Sequence, residues 1–127
     1  MLYSRCGDVR RGPGMDQDIS EVKNWMNMFR WIVKLIRDEY GVPEAKLTRT
    51  AIIDTDIGLS VEQTEEVLDI LAKTFDVKFP PGTLDELVKF EEVCLLAAWL
   101  HGLYKRPEFL ADAYAQAAAS INPRAQA

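Results

Sequence analysis

Residues 56–80 read DIGLSVEQTEEVLDILAKTFDVKFP and contain the clearest helix pattern of the chain. Ser60 precedes the pattern, and Gln63 stands at the offset of a capping box, which marks a helix start. Side chains suited to a core then recur at steps of three and four, which is the spacing of one helix face. That face consists of Thr64, Val67, Leu68, Leu71 and Phe75. The Asp-Val-Lys-Phe-Pro-Pro-Gly sequence at residues 76–82 follows Phe75 and ends the helix, so the stretch predicts one bounded amphipathic helix.

A second helix is predicted upstream, beginning at Ser20 as its cap and ending at Gly41, beyond which Pro43 blocks continuation. Its main apolar stripe is Val22, Trp25, Met26, Phe29, Ile32, Val33, Ile36 and Tyr40. A further stripe of Met28, Trp31 and Leu35 lies on another flank of the same helix. This further stripe could pack under a neighbouring helix or face a partner, and the pattern leaves both open.

The remaining segments also favour helices. Residues 42–59 form a long connection, which we expect to pack through Leu47, Ile52, Ile53 and Ile57 because featureless loops of this length are uncommon. A short helical turn is predicted at residues 84–87, and a helix at residues 90–104 that is apolar on both sides and needs cover on both. An Ala-rich helix starts at Pro107 and ends at Asn122, and its thin apolar face predicts marginal docking.

These patterns predict an all-α fold without a strand ladder. We expect a disordered leader at residues 1–17, a helical bundle at residues 18–105, and a C-terminal extension with a frayed tail at residues 106–127. The leader is polar and glycine-rich and lacks the apolar region of a secretory signal, and Met15 is an alternative start.

Composition excludes several function classes. The chain has 127 residues, 48% hydrophobic and 28% charged, and 15 Lys+Arg against 20 Asp+Glu give a net charge of −5. An acidic chain lacks the basic footprint of a nucleic-acid binder but suits docking onto basic protein surfaces. No apolar run reaches the length of a spanning helix, so membrane insertion is not expected. Cys6 and Cys94 form no disulfide framework, which favours reduced thiols and a cytoplasmic protein.

No pattern indicates an enzyme. His101 is the single histidine, and Cys94 lies two helical turns before it, but a structural histidine in an apolar helix is the favoured interpretation. Asp54 and Asp56 lack the ligand spacing of a calcium loop, and no Cys/His cluster indicates zinc. We therefore expect no catalytic residue and no metal site.

Five short motifs stand in register along the chain. They are residues 39–42 (EYGV), 46–48 (KLT), 56–58 (DIG), 67–75 (VLDILAKTF) and 75–80 (FDVKFP). With the order of the predicted helices, they make residues 29–96 resemble an acyl carrier protein. The resemblance implies a four-helix bundle with a long loop between helices one and two, here followed by an extra C-terminal helix.

The chain departs from the carrier pattern at the site of chemistry. The family has Asp-Ser-Leu there, and its serine receives 4′-phosphopantetheine, whereas the matching positions here are Ser60, Val61 and Glu62. Valine has no hydroxyl, and Ser60 falls where the family keeps its helix-capping aspartate. The chain is thus similar to a divergent group of bacterial carrier-like proteins that lack the serine. A one-residue slip would make Ser60 the acceptor of the arm.

Three functions follow as hypotheses. The first is a carrier-shaped binding module without a cofactor, which docks on a basic patch of a partner protein through its acidic second helix. The resemblance implies that Val61, Glu62, Glu65, Glu66 and Asp69 form this docking surface. The second is a working carrier with 4′-phosphopantetheine on Ser60. The third is a structural or regulatory protein that self-associates, for example as a homodimer. Its interface would consist of Met28, Trp31, Trp99 and the Ala-rich tail.

Overall fold

The computed structural model describes residues 22–125, and α-helix dominates them. Short helical turns occupy Glu44–Lys46, Ile53–Ile57 and Thr83–Glu86, and one isolated bridge joins Ile52 to Lys89. Within the described residues there is no β-strand, which confirms the all-α prediction for that part of the chain. The four α-helices are α1 (Trp25–Tyr40), α2 (Val61–Phe75), α3 (Phe90–His101) and α4 (Asp112–Ile121). The predicted leader at residues 1–17, Met15 and Cys6 lie outside the described residues.

Helix α1 begins later than the sequence predicted. Its cap is Asn24, whose side-chain oxygen accepts the Asn27 backbone N–H at 2.9 Å. Ser20 lies outside the described residues, and Val22 precedes the helix. The other end is as predicted, because Gly41 takes a left-handed conformation (φ 68°) and its N–H bonds to the Arg37 carbonyl. Glycine adopts that conformation without the cost that a side chain imposes.

The buried face of α1 differs from the predicted main stripe. Met26 of that stripe is exposed, whereas Met28 of the further stripe is fully buried. The core-facing arc therefore lies between the two stripes, and its members are Met28, Ile32, Leu35 and Ile36. Trp31 lies at the edge of this arc and packs edge-on against Phe75 of α2, with ring centroids 5.0 Å apart.

Helices α1 and α2 run antiparallel. The end of α1 meets the start of α2, where the Tyr40 hydroxyl donates to Glu66 at 2.9 Å. The Trp31–Phe75 contact joins the middle of α1 to the last residue of α2. All five residues of the predicted α2 face are buried, which confirms that prediction.

The long connection between α1 and α2 is folded onto the start of α3. Ile53 N–H donates to the Val88 carbonyl at 3.0 Å, and Phe90 N–H donates to the Ala51 carbonyl at 2.8 Å. The Asp56 carboxylate closes the turn by accepting the Ile52 N–H at 2.8 Å. Three of the four predicted anchors are buried, namely Leu47, Ile53 and Ile57. Ile52 is half-buried.

Helix α3 passes through the centre of the core and ends at His101, three residues before the predicted end. Gly102 takes a left-handed conformation (φ 91°), and its N–H bonds to the Trp99 carbonyl, which stops the helix. Trp99 is fully buried. Because Met28 and Trp99 both lie inside the core, they are not available to the self-association surface predicted from the sequence.

Helix α4 begins at Asp112, since Pro107 and Leu110 pack in the preceding connection. Its apolar face is thin, as predicted, but its docking is not marginal. Tyr114 is buried and shares a 2.7 Å hydrogen bond with Thr83. Asn122, which follows the helix, is buried and hydrogen-bonds Lys78 through both its carbonyl and its N–H, each at 2.8 Å. Polar contacts therefore supplement the small apolar area.

Candidate functional site

The start of α2 is held by a reciprocal cap. The Ser60 hydroxyl oxygen accepts the Gln63 backbone N–H at 3.1 Å, and the Gln63 side chain accepts the Ser60 N–H at 3.0 Å. Gly58, two residues earlier, takes a left-handed conformation (φ 85°) that turns the chain into the helix. The predicted capping box is thus confirmed, and Ser60 is exposed at the helix start with its oxygen serving the backbone.

Val61 is an exposed apolar residue at the mouth of a groove. Its exposed fraction is 62%, and Val88 across the groove is 54% exposed. The groove has a volume of about 370 Å³ and is called here the apolar groove. It is lined by Ile52, Ile53, Asp54, Leu59, Val61, Thr64, Leu84, Leu87 and Val88. Apart from Asp54 and Thr64 its lining is apolar, so the groove suits an apolar side chain.

Four carboxylates follow Val61 along the exposed side of α2, and we call this surface the acidic face. All four are exposed, and they are Glu62, Glu65, Glu66 and Asp69. Glu66 is fixed by the Tyr40 hydroxyl. Burial, followed by this hydrogen bond, raises the pKa of Tyr40, so the phenol stays protonated and keeps donating. The structure thus brings all five predicted partner-binding residues onto one exposed side of one helix.

A second groove borders the acidic face on its C-terminal side. It has a volume of about 560 Å³, and Glu65 and Asp69 line it together with Asp85 from the turn before α3. Lys78 is its one lining cation among the described residues, and Phe79 and Pro80 add apolar surface. Three carboxylates around an open groove favour a basic side chain as its occupant.

The cysteine and histidine do not form a nucleophilic pair that a substrate could reach. Cys94 is fully buried, and burial raises the pKa of its thiol well above the usual value, which opposes the reactive thiolate. His101 Nδ1 lies 3.1 Å from the Phe75 carbonyl oxygen, and its ring packs edge-on against the Phe75 ring. Among residues 22–125, no group of three His, Cys, Asp or Glu side chains could hold a metal ion.

His101 gives the fold a pH dependence whose sign follows from its surroundings. Burial, and next the positive charge of Arg124, lower its pKa from the usual 6.5. Protonation is then easier in the unfolded chain, so His101 contributes stability above pH 6.5 that is lost as the pH falls through the lowered pKa. We expect the melting temperature to fall less steeply between about pH 8 and about pH 5 for His101→Gln than for the wild type. Parallel curves for the two proteins would contradict this role.

The lining of the apolar groove was not predicted from the sequence. Leu84, Leu87 and Val88 come from the segment between α2 and α3, whose apolar residues follow a helix breaker without a regular period. Their placement depends on the backbone pairing of residues 51–53 with residues 88–90, which is a long-range feature. Within the described residues, no helix is long and apolar enough to span a bilayer. Comparison with known proteins found no matching family model, no matching curated protein and no matching solved structure.

Proposed function

We propose that this chain is a carrier-protein-like binding module that bears no phosphopantetheine and docks on a partner protein through α2. One observation carries the proposal: the residue at the start of α2, where a carrier presents its serine, is the exposed Val61. The Ser60 hydroxyl before it caps the helix, and the Thr64 hydroxyl one turn after it donates to the Ser60 carbonyl at 2.9 Å. The chain therefore combines a carrier-like acidic face with a start of α2 that lacks the nucleophile.

The geometry defines what the partner must present. Val61 and Asp69 are eight residues apart on one helix, which corresponds to about 12 Å along its axis. A matching partner places an apolar side chain in the apolar groove and basic side chains over Glu62, Glu65 and Asp69 at that spacing. Full burial of an exposed valine side chain contributes about 1.5–3 kcal/mol, which sets an upper limit for what Val61 adds to the free energy of binding. The exposed ion pairs contribute mainly association rate and selectivity.

The decisive experiment restores the missing nucleophile. Wild type and Val61→Ser are incubated with coenzyme A and a broad-specificity phosphopantetheinyl transferase, and their intact masses are measured. We expect no mass gain for the wild type and a gain of one arm for Val61→Ser, because only the variant offers a hydroxyl at the carrier position. An active control carrier verifies the transferase.

The other outcomes separate the alternatives. A gain in the wild type that Ser60→Ala abolishes would establish the working carrier modified at Ser60. A gain in neither protein would count against the carrier-like surface itself, provided that the variant melts as a folded protein. Since Val61 is exposed, the substitution changes no core packing, and it should leave the melting temperature nearly unchanged.

The acidic face can be tested on the same variant. Adding Glu62→Lys and Glu65→Lys to Val61→Ser is expected to slow loading by at least tenfold, because a carrier-like surface meets its transferase through these charges. The matched control reverses Glu39 and Glu108, which are exposed carboxylates outside α2. If the control pair slows loading as much as the Glu62→Lys and Glu65→Lys pair, the effect comes from net charge alone. That result would contradict a specific role for the acidic face.

A further inference from the structure

A third groove carries the opposite charge and lies against α1. It has a volume of about 380 Å³, and we call it the basic groove. Arg30, Lys34 and Arg37 line it from α1, and Glu44 lines it from the turn that follows. Its apolar lining is Phe29, Val33 and Leu47. Cations beside apolar side chains are complementary to an acidic surface that carries an exposed apolar residue.

The cations of this groove differ in availability. Arg37 is engaged within the chain, since its guanidinium lies 2.6 Å from the Glu44 carboxylate and 3.1 Å from that of Asp38. These pairs hold the turn at Glu44 against α1 and fix one wall of the groove. Arg30 and Lys34 are exposed on the other wall, one helical turn apart. They are the groups that an incoming anionic surface would meet first.

The acidic face of α2 has the matching dimensions. Positions 30, 34 and 37 are separated by four and then three residues on α1, and Glu62, Glu66 and Asp69 have the same spacing on α2. Glu65 lies on the same exposed face, next to Glu66. Both sets extend over seven residues, or about 10 Å of helix axis. The acidic face also begins with the exposed Val61, which could cover the apolar floor beside Phe29.

We propose that the basic groove receives the acidic face of a second copy of this chain, in a head-to-tail contact. A head-to-tail contact of this kind is heterologous and leaves one free groove and one free acidic face in every pair, whereas a reciprocal two-fold pairing of the same surfaces would close as a dimer. Head-to-tail association therefore continues beyond a dimer, as an open chain or a closed ring of copies, and a species that stops at a dimer would contradict this arrangement. The inference does not rest on the proposed function, but it uses the same carboxylates, so self-docking and partner docking exclude each other.

Ionic strength should control the contact. At about 0.1 M salt the screening length is roughly 10 Å, which weakens the long-range repulsion between two acidic chains and preserves pairs in direct contact. At about 1 M salt it is roughly 3 Å, and the pairs themselves are screened. We expect the association constant, measured by sedimentation velocity over a concentration series, to fall at least tenfold between these two conditions.

Two variants and their mixture test the assignment. Variant one carries Arg30→Glu and Lys34→Glu, and variant two carries Glu62→Lys and Glu65→Lys, with Glu66 left intact because of its bond to Tyr40. Each variant alone places like charges against each other and should self-associate at least tenfold more weakly than the wild type. A one-to-one mixture places the lysines of α2 in variant two against the glutamates of α1 in variant one, so association should return. Thermal melts establish that both variants are folded.

Each outcome of this experiment decides the proposal. Weaker self-association of variant two together with recovery in the mixture supports it, because two Glu→Lys changes raise the net charge from −5 to −1, and net charge alone would make variant two associate more strongly than the wild type. A wild type that stays monomeric at about 0.1 M salt overturns it, as does an association that survives both reversals. A mixture that stays monomeric while both variants are folded also overturns it, because the matched charges then fail to restore the contact.

Discussion

Replacing Phe75 with alanine is expected to lower the free energy of unfolding by about 3–5 kcal/mol, the range for a large aromatic residue removed from a core. Phe75 is 1% exposed at the end of α2. Its ring packs edge-on against Trp31 at 5.0 Å and against His101 at 5.3 Å between ring centroids. One truncation therefore removes contacts between α2 and both α1 and α3, and the rigid helices cannot all close the space.

Urea unfolding of wild type and Phe75→Ala measures this loss directly. Phe79→Ala is the matched control, because Phe79 is the same residue type but half-buried at a groove edge. Phe79→Ala should lower the free energy of unfolding by clearly less than Phe75→Ala, because the Phe79 side chain buries a smaller area. Equal losses for the two variants would contradict the assignment of Phe75 as the contact that joins the three helices.

Replacing Asn122 with alanine is expected to cost about 2–4 kcal/mol, from three buried or half-buried hydrogen bonds at roughly 1 kcal/mol each. The Asn122 side-chain carbonyl accepts the Lys78 N–H, and its amide group donates to the carbonyls of Lys78 and Ala118, all at 2.8 Å. Asn122 itself is 4% exposed. Alanine would leave the backbone N–H and carbonyl of Lys78 without these partners in a part-buried site.

The measurement needs two probes. Tryptophan fluorescence follows α1 and α3, which hold Trp25, Trp31 and Trp99, and circular dichroism follows all helices including α4. For Asn122→Ala both probes should shift together, since α4 packs in the same hydrophobic cluster as α3. Ser120→Ala, which removes an exposed local bond to Ala117, should change stability by less than about 1 kcal/mol. Separate transitions for the two probes would show that α4 unfolds as an independent unit.

Local signals explain what could be predicted from the sequence. The α2 helix was predicted with its cap, its buried face and its end because Ser60, Gln63 and the spacing from Thr64 to Phe75 act within one segment. Gly41 likewise ends α1 through its own backbone freedom. The acidic face follows from the same helical spacing, so its exposure could be foreseen along with the helix.

Long-range packing explains where the structure differs from the prediction. Two apolar stripes on α1 each fit a helix face, and only the positions of α2 and α3 decide that Met28 is buried and Met26 exposed. Asn122 looked like a helix terminator, while its bonds to Lys78 connect residues 44 positions apart. The grooves have the same origin, because residues from separate segments line each of them.

The end of α2 depends on residues that are synthesised much later. The Arg124 guanidinium donates to the carbonyls of Phe75 and Asp76, at 2.8 Å and 2.6 Å. These carbonyls lie at the C-terminal end of α2, where helix hydrogen bonds are missing. During translation α1, α2 and α3 all leave the ribosome before this cation does. Until then the Phe75 carbonyl can be met by the His101 ring of α3 but the Asp76 carbonyl lacks its Arg124 bond, so the hydrogen bonds at the end of α2 are completed last.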